Sequence, residues 1–154
     1  MSYENTKVIL NQAVADLSQL SALIHQIHWY MRGRGFLSLH PKMDSFREAI
    51  EEQLDEISER LITVGGAPYS TLVEFAENSK IKLEKGSYDV ETSQRVKDLI
   101  TAFRYLSKLY KEGIATADSE EDYVSSDIFH NSLADLEKTI WMLQAELGKA
   151  PDLD

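Results

Sequence analysis

Cysteine is absent from this 154-residue chain. Its absence excludes disulfides and thiolate metal sites, and it removes the side chain that peroxide destroys most easily. Long apolar runs are absent too, since no hydrophobic segment approaches the length that a membrane span requires. We therefore expect a chain that neither relies on disulfides nor spans a membrane, and whose composition permits oxidative chemistry without proving it.

Basic residues are scarce relative to acidic ones. Sixteen Lys and Arg against 26 Asp and Glu leave a formal charge of −10, which repels polyphosphate backbones and attracts cations. The opening MSYENTKVIL has no basic segment followed by an apolar stretch and a cleavage site, so we expect no export signal and a cytoplasmic protein. Length and composition fit one globular domain over residues 1–154.

Apolar residues recur at helical spacing in four segments. The first segment predicts a helix over about residues 4 to 31, interrupted by the sequence RGRG at 32–35. The second ends at GGAP, and Ser38 is a candidate cap for its start. Two further stripes follow, and the sequence SEED, Ser119 to Asp122, resembles a capping sequence before the last of them.

The lengths of the joints select a topology. Those near residues 32–37 and 115–121 are short, whereas the connection from Gly65 to about Val90 is long. Short joints place neighbouring helices antiparallel, and a long connection with a short helix at about 70–78 can travel the length of a bundle. The prediction is an all-α, ferritin-like four-helix bundle with a short extra helix between helices 2 and 3.

One face of the second predicted helix carries a histidine and three carboxylates. With His40 at zero and about 100° per residue, Asp44, Asp55 and Glu59 fall at about 40°, 60° and 100°. This polar face borders the apolar stripe. On the first helix, His28 lies within the stripe, so a buried His28 needs a partner for its ring nitrogens.

A single chain cannot bring these four side chains to one metal. His40 and Glu59 are separated by about 28 Å along a helix, whereas ligands approach a metal to about 2.0 to 2.2 Å. Yet the pair His40 and Glu59 and the pair Asp44 and Asp55 are both centred between residues 49 and 50. Antiparallel second helices crossing there about a two-fold axis would oppose the members of each pair. The spacing therefore predicts two identical metal sites shared between two copies of the chain.

Solvated charge is the competing interpretation. Acidic pairs at i and i+4 are common on exposed helices, and His28 alone is better explained by core packing. The common centre of the two pairs favours metal binding, with His28 able to join the shared site from the first helix. Trp29, Trp141 and the methionines are interpreted as packing groups, and spacing alone gives no role to His25 or His130.

Four motifs occur in order along nearly the whole chain: HW at His28, GRGFLSLH leading into His40, LDEISERL at 54–61 and EKTIWML at 137–143. They resemble the signatures of Dps, the DNA-protection-during-starvation miniferritins, and especially of their Dpr-like, peroxide-resistance branch. The paired Glu-x-x-His motifs of ordinary ferritins are absent. The resemblance implies a dodecameric hollow shell with iron-oxidising sites at its two-fold interfaces, and it maps the family's ferroxidase ligands onto His28, His40, Asp44, Asp55 and Glu59.

The resemblance also implies a reaction: oxidation of Fe(II), preferentially by hydrogen peroxide, with ferric mineral stored in the shell and the cell protected from oxidative damage. His28 and His40 would supply nitrogen ligands, Asp44 and Glu59 anionic oxygens, and Asp55 a direct or water-mediated carboxylate. Such ligands suit Fe(II) but also accept zinc, manganese or cobalt, so selectivity stays open. A non-enzymatic shell that buffers divalent metals is therefore an alternative.

The family motif gives Trp29 a role in intercepting stray oxidising equivalents, with packing as the alternative. A nucleoid-associated, DNA-binding protein is the remaining alternative function. Members that bind DNA commonly use a lysine-rich terminal tail, whereas Lys7 is the only base before Arg32 here. Twelve copies would carry twelve times −10, or −120, so we expect no direct DNA binding.

Other acidic residues have weaker assignments. Glu48, Glu51 and Glu52 either face the cavity and nucleate mineral or form a solvated helix surface. The acidic concentration at 118–127 resembles the negative three-fold entry pores of family shells, with Asp127 as the best pore candidate. Helix caps and compensation of the helix dipole explain several of the same acids.

Overall fold

The computed structural model describes residues 2–154 and contains five helices. They are α1 (Glu4–Tyr30), α2 (Phe36–Thr63), α3 (Leu72–Asn78), α4 (Thr92–Ser119) and α5 (Tyr123–Glu146). No strand occurs in these residues, and none of the helices is long and apolar enough to cross a membrane. The predicted fold class, four long helices with a short one in the long connection, is confirmed.

The long helices pack mainly as two pairs. α1 lies against α2 and α4 against α5, and further contacts of α1 with α4 and of α2 with α5 close the bundle. Their facing sides share one apolar core that includes the fully buried Leu17, Ile57, Leu106 and Phe129. Burying each such side chain stabilises the fold by about 1.5 to 3 kcal/mol before chain entropy is subtracted. This core holds α1 and α2, the helices that carry the predicted ligands, in a fixed relation.

The start of α2 differs from the prediction, because Ser38 is not its cap. The helix begins at Phe36, directly after Gly35, which adopts a left-handed conformation with φ of 89°. Glycine reaches this conformation without steric cost, so the chain turns into α2 earlier than a serine cap would allow. Ser38 lies in the first turn, where its hydroxyl donates to the Gly35 carbonyl. Before α5, only the last residue of the predicted capping sequence, Asp122, is the cap, because Ser119 is the last residue of α4.

A buried carboxylate fixes the long connection to the bundle. Asp16 of α1 accepts hydrogen bonds from the Ser79 hydroxyl at 2.7 Å and the Lys80 amide at 2.9 Å, both in the connection. It also accepts from the Tyr105 hydroxyl of α4 at 2.5 Å and from Gln12 at 3.1 Å. Burial, and then the bond to Asp16, raise the pKa of Tyr105, which therefore stays a proton donor. Asp16 thus ties α1, the connection and α4 together.

Replacing Asp16 with alanine is expected to destabilise the protein by roughly 3 to 5 kcal/mol, because removal of one partner leaves several buried donors unsatisfied. Urea unfolding followed by circular dichroism, at equal protein concentration, measures the change. The matched control is Asp98→Ala, an exposed acid of α4, which should change stability by about 0.5 kcal/mol or less. Equal effects of the two substitutions would contradict the anchoring role of Asp16.

Candidate metal centre

His28 and His40 face each other where α1 ends and α2 begins. Their rings stack with centroids 3.7 Å apart and an interplanar angle of 11°. The Nδ1 atom of His28 lies 2.7 Å from the His40 carbonyl oxygen, and the Nδ1 atom of His40 lies 2.8 Å from the His28 carbonyl oxygen. Because a carbonyl only accepts, Nδ1 is the donor in each bond. The reciprocal bonds leave both Nε2 atoms for another partner, which is the arrangement that metal ligation through Nε2 requires.

The local backbone explains why the two histidines meet. His28 lies in the last turn of α1, and the last four carbonyls of a helix have no intrahelical amide partner. The His40 side chain satisfies one of these carbonyls. Gly33 and Gly35, both with positive φ, turn the chain so that α2 runs back along α1. Two residues that are twelve positions apart in sequence are therefore in contact.

Asp44 extends the same surface toward solvent. Its Oδ1 atom lies 3.8 Å from the Nε2 atom of His28, and its side chain is 58% exposed whereas that of His28 is 13% exposed. Two ligands that each lie about 2.0 to 2.2 Å from one ion can be separated by this distance. An ion bound by His28 and Asp44 would thus sit at the surface of the protomer, with its outer side open.

Asp55 and Glu59 do not reach this group. Both are exposed, and their side chains form no hydrogen bond or ion pair with any described residue. Asp55 lies about 16 Å beyond Asp44 along α2. No three His, Asp or Glu side chains in residues 2–154 are gathered closely enough to hold a metal. The protomer places His40 and Asp44 each beside His28, and it leaves the predicted ligand set incomplete.

The interior of the bundle offers no substitute. Apart from Asp16, the buried carboxylate within residues 2–154 is Asp122, which pairs with Arg60 at 2.6 Å. Near the middle of the core, the Tyr110 hydroxyl donates to the Gln53 side-chain oxygen at 2.7 Å, and burial raises the pKa of Tyr110 well above its usual value. These groups are already partnered. The candidate centre therefore lies on the outer face of the α1–α2 pair.

His25 is a neighbour of the centre that the spacing argument missed. Its ring stacks on Trp29 with centroids 3.9 Å apart, and it lies 6.1 Å from the His28 ring. Burial, followed by the positive charge of Arg47, lowers the pKa of His25, which favours the neutral ring. Trp29 is 61% exposed, so it is not a core packing group of the single chain. The i, i+4 spacing of His25 and Trp29 was the sequence signal from which their contact could have been predicted.

The acidic residues near the start of α5 fall into two groups. Glu120 accepts hydrogen bonds from the amide and the hydroxyl of Thr6, and Asp122 caps α5 and pairs with Arg60. These two acids have structural roles, as the capping alternative predicted. Asp127 is exposed. Only the exposed acids of this region stay available as pore candidates.

The three candidates for mineral nucleation also differ from one another. Glu48, Glu51 and Glu52 are all exposed on α2. Glu51 accepts a hydrogen bond from the Ser21 hydroxyl of α1 at 2.5 Å, so one of its carboxylate oxygens is already engaged within the protein. Glu48 and Glu52 make no such contact with described residues, and they are the better candidates for binding ions.

Comparison with known proteins identifies the family. The ferritin-like domain family matches residues 8–153. A DNA protection during starvation protein (Dps) of Streptococcus suis is 54% identical over 152 residues, which cover 99% of this chain and 88% of the relative. The chain belongs to the Dps family of ferritin-like proteins. The X-ray structure of Dps from Listeria monocytogenes superposes with a TM-score of 0.93 at 43% identity, covering 95% of both chains. The ferritin-like fold and the Dps resemblance are thereby confirmed.

Proposed function

We propose that this Dps-family protein is an iron-binding miniferritin that oxidises Fe(II), preferentially with hydrogen peroxide, and stores ferric mineral inside a dodecameric shell, protecting the cell from oxidative damage. One observation carries the proposal. Reciprocal hydrogen bonds hold the His28 and His40 rings in place and leave both Nε2 atoms available to a metal. Asp44 lies beside His28, and the same chain supplies no further ligand to this surface. A two-fold related subunit is the simplest source of the missing ligands.

The proposed site takes groups from both subunits of a dimer. One subunit supplies His28, His40 and Asp44. The remaining ligands are the partner's Asp55 and the partner's Glu59. Two imidazoles and several carboxylates suit Fe(II), and the anionic oxygens favour the higher charge of Fe(III). Two Fe(II) ions supply the two electrons that cleave one hydrogen peroxide, which with two protons gives two waters. Paired transfer releases no hydroxyl radical.

Structures of relatives support the proposal that the chain binds divalent metals. Dps from Listeria innocua was studied after soaking with cobalt and with zinc. Another structure of that protein has two histidines replaced by glycine, and they are twelve positions apart, as His28 and His40 are here. Zinc accepts the same nitrogen and oxygen ligands, so we expect it to compete with Fe(II) for the proposed site.

Residues around the site receive supporting roles in this proposal. Trp29, exposed beside His28 and stacked on His25, intercepts oxidising equivalents that escape the iron. Asp127 contributes negative potential to an entry pore, and Glu48 with Glu52 binds ferric ions as mineral forms. DNA binding is not proposed, because a charge of −10 per chain opposes contact with a phosphate backbone.

Stopped-flow mixing of anaerobic Fe(II) with peroxide tests the proposal. The protein is expected to accelerate oxidation over the protein-free reaction and to consume about one peroxide for two Fe(II), because electrons leave in pairs. Preloading with zinc should slow the reaction, and a spin trap should detect less hydroxyl radical than without protein. Binding of Fe(II) with no acceleration would overturn the proposal in favour of a metal-buffering shell.

A further inference from the structure

A cavity between α1, the long connection and α4 concentrates positive charge. Its volume is about 530 Å³. Six charged residues line it, of which four are basic and two are acidic: Lys80, Lys82, Lys85, Arg95, Glu84 and Asp98. The lining is therefore positive in a chain whose formal charge is −10. None of the proposed iron ligands contributes to this cavity.

Arg95 is the unusual member of this lining. It is only 5% exposed, yet no carboxylate lies within ion-pair distance of its guanidinium in the part of the chain that is described. The guanidinium donates through Nη2 to the Ser87 carbonyl, and its Nε atom has no hydrogen-bond partner. A guanidinium carries five N–H donors, so most of them lack a protein acceptor. Burial of a charge without a counter-ion is costly, and a second group that supplies negative charge would offset that cost.

We propose that this cavity binds one small oxyanion of the phosphate class. The planar fork of Arg95 matches two oxygens of such an anion, and the flexible stems of Lys80, Lys82 and Lys85 bring further positive charge to it. The lysines belong to the long connection and Arg95 to α4. A bound anion therefore links the connection to the bundle, and it stabilises the folded protein. The assignment does not depend on the proposed iron chemistry.

Inorganic phosphate is the probe, added to the assembled protein after metal is removed with a chelator. At constant ionic strength set with sodium chloride, phosphate should raise Tm in a saturable way, and calorimetry should give a matching Kd. The variant carrying Lys82→Ala and Lys85→Ala should weaken phosphate binding about tenfold or more. Arg95→Lys, which keeps the charge but loses the fork, should weaken it similarly while circular dichroism stays unchanged.

The matched control carries Lys138→Ala and Lys149→Ala, two exposed lysines outside the cavity, and changes the net charge equally. This control should bind phosphate as the wild type does. Equal weakening in both double variants would show a general charge effect and overturn the site. Tight binding of a short DNA duplex that is lost only in the cavity variants would also overturn it, in favour of a nucleic-acid surface. The site would also be overturned if phosphate had no saturable effect on the Tm of the wild type.

Discussion

The double variant His40→Ala, Asp44→Ala is expected to lose almost all acceleration of Fe(II) oxidation by peroxide, a fall of about 100-fold or more. The change removes a nitrogen and an oxygen ligand from every proposed site. It also removes the donor to the His28 carbonyl and leaves the His28 ring without its stacked neighbour. The remaining imidazole keeps its hydrogen bond to the backbone carbonyl of residue 40, but it loses its co-ligands. Stopped-flow rates under the conditions used for the wild type measure the loss.

A matched variant separates this effect from damage to the helix. Lys42→Ala with Ser45→Ala changes two exposed residues in the same stretch of α2 that are not proposed ligands. Its rate should stay within about twofold of the wild type, because surface substitutions away from a site have small effects. Both variants should keep the helical spectrum and the particle size of the wild type. An active His40→Ala, Asp44→Ala variant of normal size would remove these residues from the site.

The helices and their order were predictable because core contacts impose a period on the sequence. Leu17, Ile57 and Leu106 recur at helical spacing with other apolar residues, and all three are fully buried. The long connection was recognisable from its length alone. The period did not reveal how that connection is held, because Asp16 is a single acid. Its partners in the connection and in α4 lie 63 or more positions away in the sequence.

The geometry of the candidate site was predictable only in part, and its set of five ligands stays a prediction. Angles along one helix placed His40 and Asp44 on a common face, and the contact of His28 with Asp44 agrees with that placement. The reciprocal bonds of the two histidines depend on carbonyls near a helix end and on the Gly35 turn, where the predicted Ser38 cap was wrong. Side-chain stacking such as that of His25 follows from rotamers, which a helical projection does not contain.

The second large effect is expected in oligomers that contain two different variant chains, where activity should partly return. One chain carries His40→Ala and Asp44→Ala, and the other carries Asp55→Ala and Glu59→Ala. Each variant alone has no complete site. In a mixed two-fold dimer, one site collects all four substitutions and the other collects none. Random mixing in equal amounts makes half the dimers mixed, so about one quarter of the sites, and about one quarter of the wild-type rate, should return.

Coexpression of the two chains with different affinity tags, followed by tandem purification and rate measurement, is the most direct test of a site shared between subunits. Parental proteins purified in the same way provide the baseline. The shared site predicts two inactive parents and recovery of activity only in the mixed assembly. If the mixed assembly is as inactive as its parents, or if the Asp55→Ala, Glu59→Ala parent alone is fully active, the site is not built from these residues of two chains.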